Sequence, residues 1–400
     1  MKDLKHLIYF EELLSEANNA LVKQATADGK KALGYTCYFV PEVLLNLGGC
    51  FSVRLRAPGT SNTDIGTYYM TNKTCPFTRS ILERSMEGGY NFLSAMLSSE
   101  TCQMMHRAHE YFDIMGLVKE QNPDFFLSMM DVPFVTTKAA YEHYENQLRK
   151  HILEPLEKVC GVDISDKAIR AAIEEHNDIC GIISELGELR KLPNPPITSY
   201  EFHVLQLVSE CCPQYLIKDK LLETLKEVRK RKVDPKPNYR ARLVVTGSEV
   251  DDPVFTKLLE DCGVYVVADR YCFGSLPGRE EIAVQPGQHP LDALAEHYMK
   301  INECPRSMGT ENIIARKQYL YDIAKEYKAD GIILQNMKFC EYWGYERAIA
   351  AKWLAEGLNV PSAIPTCQIE RDYANAATGQ LRTRFQAFVE SLEIKKLQAN

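Results

Sequence analysis

The sequence has no stretch approaching the roughly 18 consecutive apolar residues needed to cross a bilayer. Its opening, MKDLKHLIYFEELLSEANNALVKQA, spaces apolar residues at helical intervals with charges between them and so offers no apolar core of a signal peptide. A soluble, cytoplasmic chain with no membrane attachment is expected. Positive charge is also short: 47 Lys and Arg stand against 54 Asp and Glu, a net charge of -7. Phosphate-led recognition needs a basic surplus on one face, so no nucleic-acid partner is expected. The one basic cluster, Lys226 to Lys232, reads as solvated helix surface or a partner contact beside a linker. No G-x-x-x-x-G-K-[ST] loop and no C-x-x-C motif occurs.

What is abundant is cysteine. Thirteen in 400 residues is an odd count, and in a reducing compartment clustered thiols more often bind metal than form disulfides. Taken singly, most read as small buried hydrophobes.

Hydrophobic patterning divides the chain. Residues 1–30 read as an N-terminal helical segment, 31–137 as a first α/β domain, 138–238 as a helical region and linker, and 239–400 as a second α/β domain. In the first, strands are expected at Ala32–Cys37, Phe51–Ala57, Phe92–Ser98 and Phe125–Met130, with helices near Pro41–Leu47, Pro76–Met86 and Cys102–Met115. Lys138 to Lys230 is helical, broken at Leu192-Pro193-Asn194-Pro195-Pro196, and the two prolines of Lys232–Pro237 mark a boundary. The second predicts strands Ala241–Thr246, Val264–Ala268, Gly331–Asn336 and Ser362–Thr366. Helices are expected at Pro253–Asp261, Glu311–Lys328, Tyr345–Glu356 and Gln380–Ile394. The fold class is α/β: two Rossmann- or flavodoxin-like parallel-sheet domains with a helical insert, binding ligand between the halves at the strands' carboxyl ends.

Three cysteines stand where that rule places chemistry. Cys75 opens a helix ahead of Pro76, Cys102 starts the helix after a strand, and Cys340 closes a strand of the second half. All three are expected on strand-to-helix turns, able to converge across the cleft, where helix N-termini favour the thiolate. Three thiolates without a nearby His suit iron–sulfur chemistry better than hydrolytic zinc, and three rather than four leave one iron with an exchangeable position.

The words around these residues, Gly34–Glu42, Cys75-Pro76-Phe77-Thr78-Arg79-Ser80, Glu100-Thr101-Cys102, Ala329–Gln335, Lys338-Phe339-Cys340 and Thr378–Arg384, occur in an order that resembles the 2-hydroxyacyl-CoA dehydratase family. That family includes the benzoyl-CoA reductase cluster subunits and the double-cubane cluster proteins. The resemblance implies that Cys75, Cys102 and Cys340 hold a 4Fe-4S cluster between two α/β domains. It also implies a related second subunit, or a homodimer, an acyl-CoA substrate and a separate ATP-hydrolysing iron–sulfur activator. In the dehydratases the delivered electron enters the thioester carbonyl, and the resulting ketyl radical anion expels the neighbouring hydroxyl. Where many relatives carry a second glutamate after the proline, this chain has Val43. Cys37, Cys50, Cys272 and Cys367, the last expected at the carboxyl end of its strand, are surplus thiols for an 8Fe-9S double cubane.

Other residues carry two readings each. Gly247 and Ser248, after the first strand of the second half, form a plain turn or a phosphate contact for coenzyme A. Gln335 lies in one of the resembling words. Arg382 and Arg384 open the last helix as a phosphate clamp, an interface contact or partners of surface carboxylates. His106 and His109 follow Cys102 on one helix face as ligands or satisfied histidines, and Arg79 and Arg107 offset cluster charge or pair locally. Met96, Met104, Met105, Met129 and Met130 read as core or acyl lining. Three functions result: a dehydratase subunit, a benzoyl-CoA-type or double-cubane reductase subunit, and a two-lobed binding protein with structural cysteines.

Overall fold

The computed structural model describes residues 2–60, 62–233, 236–274, 280–300, 304–357, 360–374 and 378–399. Asp234 and Pro235 of the expected linker lie outside the described residues. Helices α1 (Leu7–Leu13) and α2 (Ala20–Ala27) precede a first parallel sheet of β1 (Lys31–Tyr35), β2 (Cys50–Arg54), β3 (Ala95–Glu100) and β4 (Phe126–Asp131). Between its strands lie α3 (Glu42–Leu45), α4 (Asp64–Met70), α5 (Pro76–Met86) and α6 (Gln103–Ile114). Four helices follow: α7 (Lys138–Leu148), α8 (Asp166–Glu188), α9 (Ser199–Cys211) and α10 (Gln214–Lys230). The second sheet comprises β5 (Ala241–Gly247), β6 (Val264–Tyr271), β7 (Gly331–Met337) and β8 (Thr366–Arg371). Its helices are α11 (Pro253–Asp261), α12 (Pro290–Lys300), α13 (Thr310–Glu326), α14 (Glu341–Glu356) and α15 (Thr378–Ala399).

Both sheets are parallel throughout and share one strand order, β2-β1-β3-β4 and β6-β5-β7-β8. The inner strands β1, β3, β5 and β7 are buried at nearly every position, as helices covering a parallel sheet require, and every residue of the edge strands β2 and β6 is buried too. Helix starts are set locally. Asn19, Thr137, Ser165 and Asp252 accept first-turn amides, Thr198 and Glu201 form a reciprocal box, and Pro76 and Pro253 occupy the first turn.

The helical region joins the halves. Phe10 and Leu13 of α1 pack with Val204, Leu207 and Val208 of α9 in one apolar cluster that also holds Phe273, just beyond β6. Polar bolts cross it. Arg54, ending β2, gives one amine to the Glu210 carboxylate of α9 at 2.8 Å and the other to the Cys272 carbonyl at 2.5 Å. Arg56 donates to the carbonyls of Asp251 and Leu14, at 2.7 and 2.9 Å.

Several boundaries differ from expectation. The last strand runs Thr366–Arg371 rather than Ser362–Thr366, because Pro365 has no N–H to donate and pairing with β7 begins at Thr366 opposite Ile332. Cys367 therefore lies near the start of that strand, opposite Ile333, and not at its carboxyl end. Residues Asp64–Met70 are helical, so Cys75 stands in a helix-to-helix turn and only Cys102 and Cys340 in strand-to-helix turns. Helix α12 falls where no element was expected, and α14 begins at Glu341 rather than Tyr345. Two π-helical turns, Arg149–Leu153 and Leu156–Cys160, interrupt the helical region. No described helix is long and apolar enough to cross a membrane.

His109 of α6 is buried, and neither ring nitrogen has a hydrogen-bond partner. Burial, helped by His106, holds its pKa down at about 3. The folded state thus binds fewer protons than the unfolded chain below pH 6.5, and stability drains away as pH falls. Between pH 8 and pH 5 the native chain should lose about 2 kcal/mol more than His109→Leu, by urea unfolding at each pH. Parallel losses would contradict this.

Candidate functional site

In each sheet the order in which strands are added reverses between the two central strands, so the crevice for a ligand opens beyond the carboxyl ends of β1 and β3 and of β5 and β7. Cys37 follows β1 and Cys102 follows β3. Ser248 and Glu249 follow β5, and Cys340 follows β7.

Cys75, Cys102 and Cys340 are the residues immediately before α5, α6 and α14. A helix start leaves amides without intrahelical partners, and here the thiols take them. The Phe77 and Thr78 amides face Cys75, those of Met104 and Met105 face Cys102, and that of Trp343 faces Cys340. All three cysteines border one apolar cluster containing Met337, Phe77 and Met105. They feel one another's charge: Cys102 acts on Cys75, and both act on Cys340. Burial pushes the Cys75 thiol up to about 12 and raises the other two, outweighing the amides. Without a bound cation these thiols are neutral at pH 7. Phe339 enters the turn with φ of 60°, a left-handed conformation that a side chain adopts at a cost of about 1 kcal/mol or more, and this bend sets Cys340 at the head of α14.

A second set of thiols shares the crevice. Cys37 accepts from the Thr101 hydroxyl at 3.5 Å, and Cys272 accepts from the Trp343 indole N–H at 3.0 Å. Cys304 sits in a tight turn closed by the Ser307 amide on its carbonyl, 3.1 Å. Charge contacts link them: Cys304 with Cys37, Cys272 with Cys304 and Cys340, and Cys102 with Cys37. Cys37 and Cys272 were anticipated as surplus thiols and Cys304 was not. Its only signal was the tripeptide Cys304-Pro305-Arg306, a turn with no strand beside it in sequence. Of the other two surplus thiols, Cys50 pairs with Cys160 and Cys367 borders the apolar core under α15.

Gly247, Ser248 and Gln335 come together. The Gln335 side-chain amide donates to the Ser248 carbonyl at 2.8 Å, and the Met337 amide donates to the Ser248 hydroxyl at 2.6 Å. These bonds fix the end of β7, the strand leading to Cys340. Arg382 instead pairs with Asp261, the last residue of α11, at 3.4 Å, and Arg384 is exposed on the same helix beside Cys367. Arg79 donates to the Thr67 hydroxyl, and Arg107 to Glu110 and Tyr111. His106 lies between Glu100 and Glu110. Met96, Met105 and Met130 are core, while Met104 and Met129 are half-buried. Glu42, beside Val43, is committed to a buried network: it pairs with His176 at 2.6 Å and accepts from the Tyr298 hydroxyl at 2.7 Å.

Among the described residues no group of three or more His, Cys, Asp or Glu forms a site for a single metal ion. The fit to an iron–sulfur group rests on the donors themselves: Cys75 is buried, Cys102 and Cys340 are half-buried, and each faces backbone N–H groups of the kind that bond to cluster sulfur, in an apolar crevice.

The fold and site define a two-lobed parallel α/β protein with a thiol-lined interlobe crevice. A family model described as 2-hydroxyglutaryl-CoA dehydratase, D-component, matches residues 37–392, and the chain belongs to that family. It is 26% identical to the (R)-phenyllactyl-CoA dehydratase beta subunit of Clostridium sporogenes, covering 96% of this chain and 97% of the relative. It is 24% identical to the beta subunit of (R)-2-hydroxyglutaryl-CoA dehydratase of Acidaminococcus fermentans, with 95% and 97% covered. A benzoyl-CoA reductase subunit of Thauera aromatica is 22% identical over 82% of this chain and 83% of its own.

Gly247 has φ of 148°, and a Cβ there would lie 1.9 Å from the Gln335 carbonyl oxygen. Gly247→Ala should destabilise the chain by several kcal/mol, about 3 or more, in denaturant unfolding, since backbone and not a flexible side chain must move. A loss below about 1 kcal/mol would show that this strand end is not fixed as described.

Proposed function

We propose that this chain is the iron–sulfur subunit of a 2-hydroxyacyl-CoA dehydratase, holding a 4Fe-4S cluster on Cys75, Cys102 and Cys340. The single observation behind this reading is the repeated arrangement of three thiols, one buried and two half-buried, each heading a helix and facing its first-turn amides, at the junction of both sheets. The proposed assembly adds a related subunit or second copy and an ATP-hydrolysing activator, in the cytoplasm; relatives with dehydratase or reductase names are themselves called subunits. The division into a first α/β domain, a helical region and a second α/β domain is part of the same reading.

When bound, the cluster supplies a low-potential electron and one iron position open to a substrate oxygen. The chain's own residues do the rest. First-turn amides of α5, α6 and α14 stabilise negative charge on the ligand sulfurs. The apolar wall around Phe77, Met105 and Met337 keeps water from the reacting thioester. Glu249, beside the crevice and 4.0 Å from Arg54, has its carboxyl pushed up to about 8, chiefly by burial. It therefore carries a proton at pH 7 and is placed to give it to the departing hydroxyl. Gly247, Ser248 and Gln335 are assigned to the thioester side of the crevice. Arg382, paired with Asp261 at the end of α11, and Arg384, exposed on α15, suit the subunit interface better than the coenzyme.

A second reading, an ATP-dependent reductase subunit with an 8Fe-9S double cubane, is favoured by one specific observation: Cys37, Cys272 and Cys304 share the crevice with the first three thiols. Activity separates the readings. With activator, ATP and a 2-hydroxyacyl-CoA panel under anaerobic conditions, the dehydratase reading predicts enoyl-CoA formed with only catalytic amounts of electrons. A product formed with stoichiometric electron consumption supports the reductase instead. Glu249→Gln should lower kcat about 100-fold or more and leave iron content unchanged, and the native rate should fall as pH rises through about 8. An unchanged kcat removes Glu249 from proton transfer.

A further inference from the structure

Arg306 is 2% exposed. Its guanidinium donates to the backbone carbonyls of Val132 at 2.7 Å and Pro133 at 3.4 Å, and it stacks on Phe134 with 3.9 Å to the ring centre. Its Nε has no hydrogen-bond partner, and among the described residues no carboxylate lies within ion-pair distance of it. Two other arginines near these thiols have carboxylate partners: Arg54 pairs with Glu210, and Arg316 with Glu346. A buried cation without an anion is strongly unfavourable, so the charge of Arg306 calls for an anionic group in the crevice. The nearest candidate is the set of thiols that it adjoins, two residues from Cys304. Cys272 of that set also receives the Trp343 indole N–H at 3.0 Å.

The first set is built differently. Around Cys75 and Cys102 the titratable side chain within reach, other than thiols, is the protonated Glu249, and the donors are backbone amides. Glu249 acts on Cys272 of the other set as well, so what separates the two sides is the buried Arg306 and the Trp343 indole, both on the Cys304 and Cys272 side. Positive charge and N–H donors at cluster sulfur favour the reduced, more negative state and raise the reduction potential.

Building on the six-thiol reading, we propose that Arg306 and Trp343 polarise the crevice. They hold the iron–sulfur unit on Cys37, Cys272 and Cys304 at a higher potential than the unit on Cys75, Cys102 and Cys340. An electron from a low-potential donor rests on the Arg306 side before it reaches the Cys75 side. Both residues are positioning residues acting through the cluster.

The test is a redox titration of the anaerobically purified full-length holoprotein with titanium(III) citrate, followed by EPR without any thioester, alongside iron analysis. The expected result is about eight irons per chain and two couples. Arg306→Gln and Trp343→Phe should each shift the more positive couple to more negative potential and leave the other in place. Should Arg306→Gln fail to hold iron, Trp343→Phe carries the measurement. Eight irons with neither couple moved, or both moved equally, overturns the inference and leaves the six-thiol reading intact. About four irons with one couple, and a Cys272→Ser chain that keeps all its iron, overturns the six-thiol reading itself.

Discussion

The buried guanidinium of Arg54 ties together everything that makes the crevice. It ends a strand of the first sheet, pairs with Glu210 of the helical region and caps the carbonyl of Cys272 beside the second sheet. Removing one partner of such a pair strands the other charge in a low dielectric and costs about 3–5 kcal/mol. The bond also fixes a distance, because the two sheets have no strand in common. Arg56, with Asp251 and Leu14, repeats the device two residues further along the chain.

Given that frame, the thiols follow from the geometry of helix starts. A parallel sheet delivers helix N-termini to its carboxyl edge, and each has amides to satisfy. Cysteine is an unusual choice there, since Ser, Thr, Asp and Asn cap better, as they do at Asn19, Ser165 and Thr198 of this chain. Poor caps at Cys75, Cys102 and Cys340 are the mark of residues kept for something other than stability. Burial favours the protonated form of these thiols, so loading a metal group releases protons and couples assembly to pH.

Much of this was legible from the residues. Alternation of apolar runs with helical spacing located seven of the eight strands to within a few residues, because strands covered on both faces read as short continuous apolar segments. Proline at the first turn located α5 and α11 to the residue. The failures have local causes. Asp64–Met70 carries Gly66, whose Cβ would lie 2.5 Å from the Arg79 carbonyl, so this poor helix former is set by packing on α5 rather than by propensity. Pro365 shifted β8. Cys304 was missed because its turn has no periodicity, and the absence, among the described residues, of a carboxylate paired with Arg306 exists only in three dimensions.

The central claim is that Cys75, Cys102 and Cys340 grip one inorganic group between the two sheets. Anomalous X-ray scattering at the iron edge, from crystals grown and cooled without oxygen, tests it with no assumption about substrate. The account predicts iron density bounded by these three sulfurs at the carboxyl ends of β3 and β7 and the head of α5. Iron bound elsewhere in the chain, with the three thiols unligated, would contradict it.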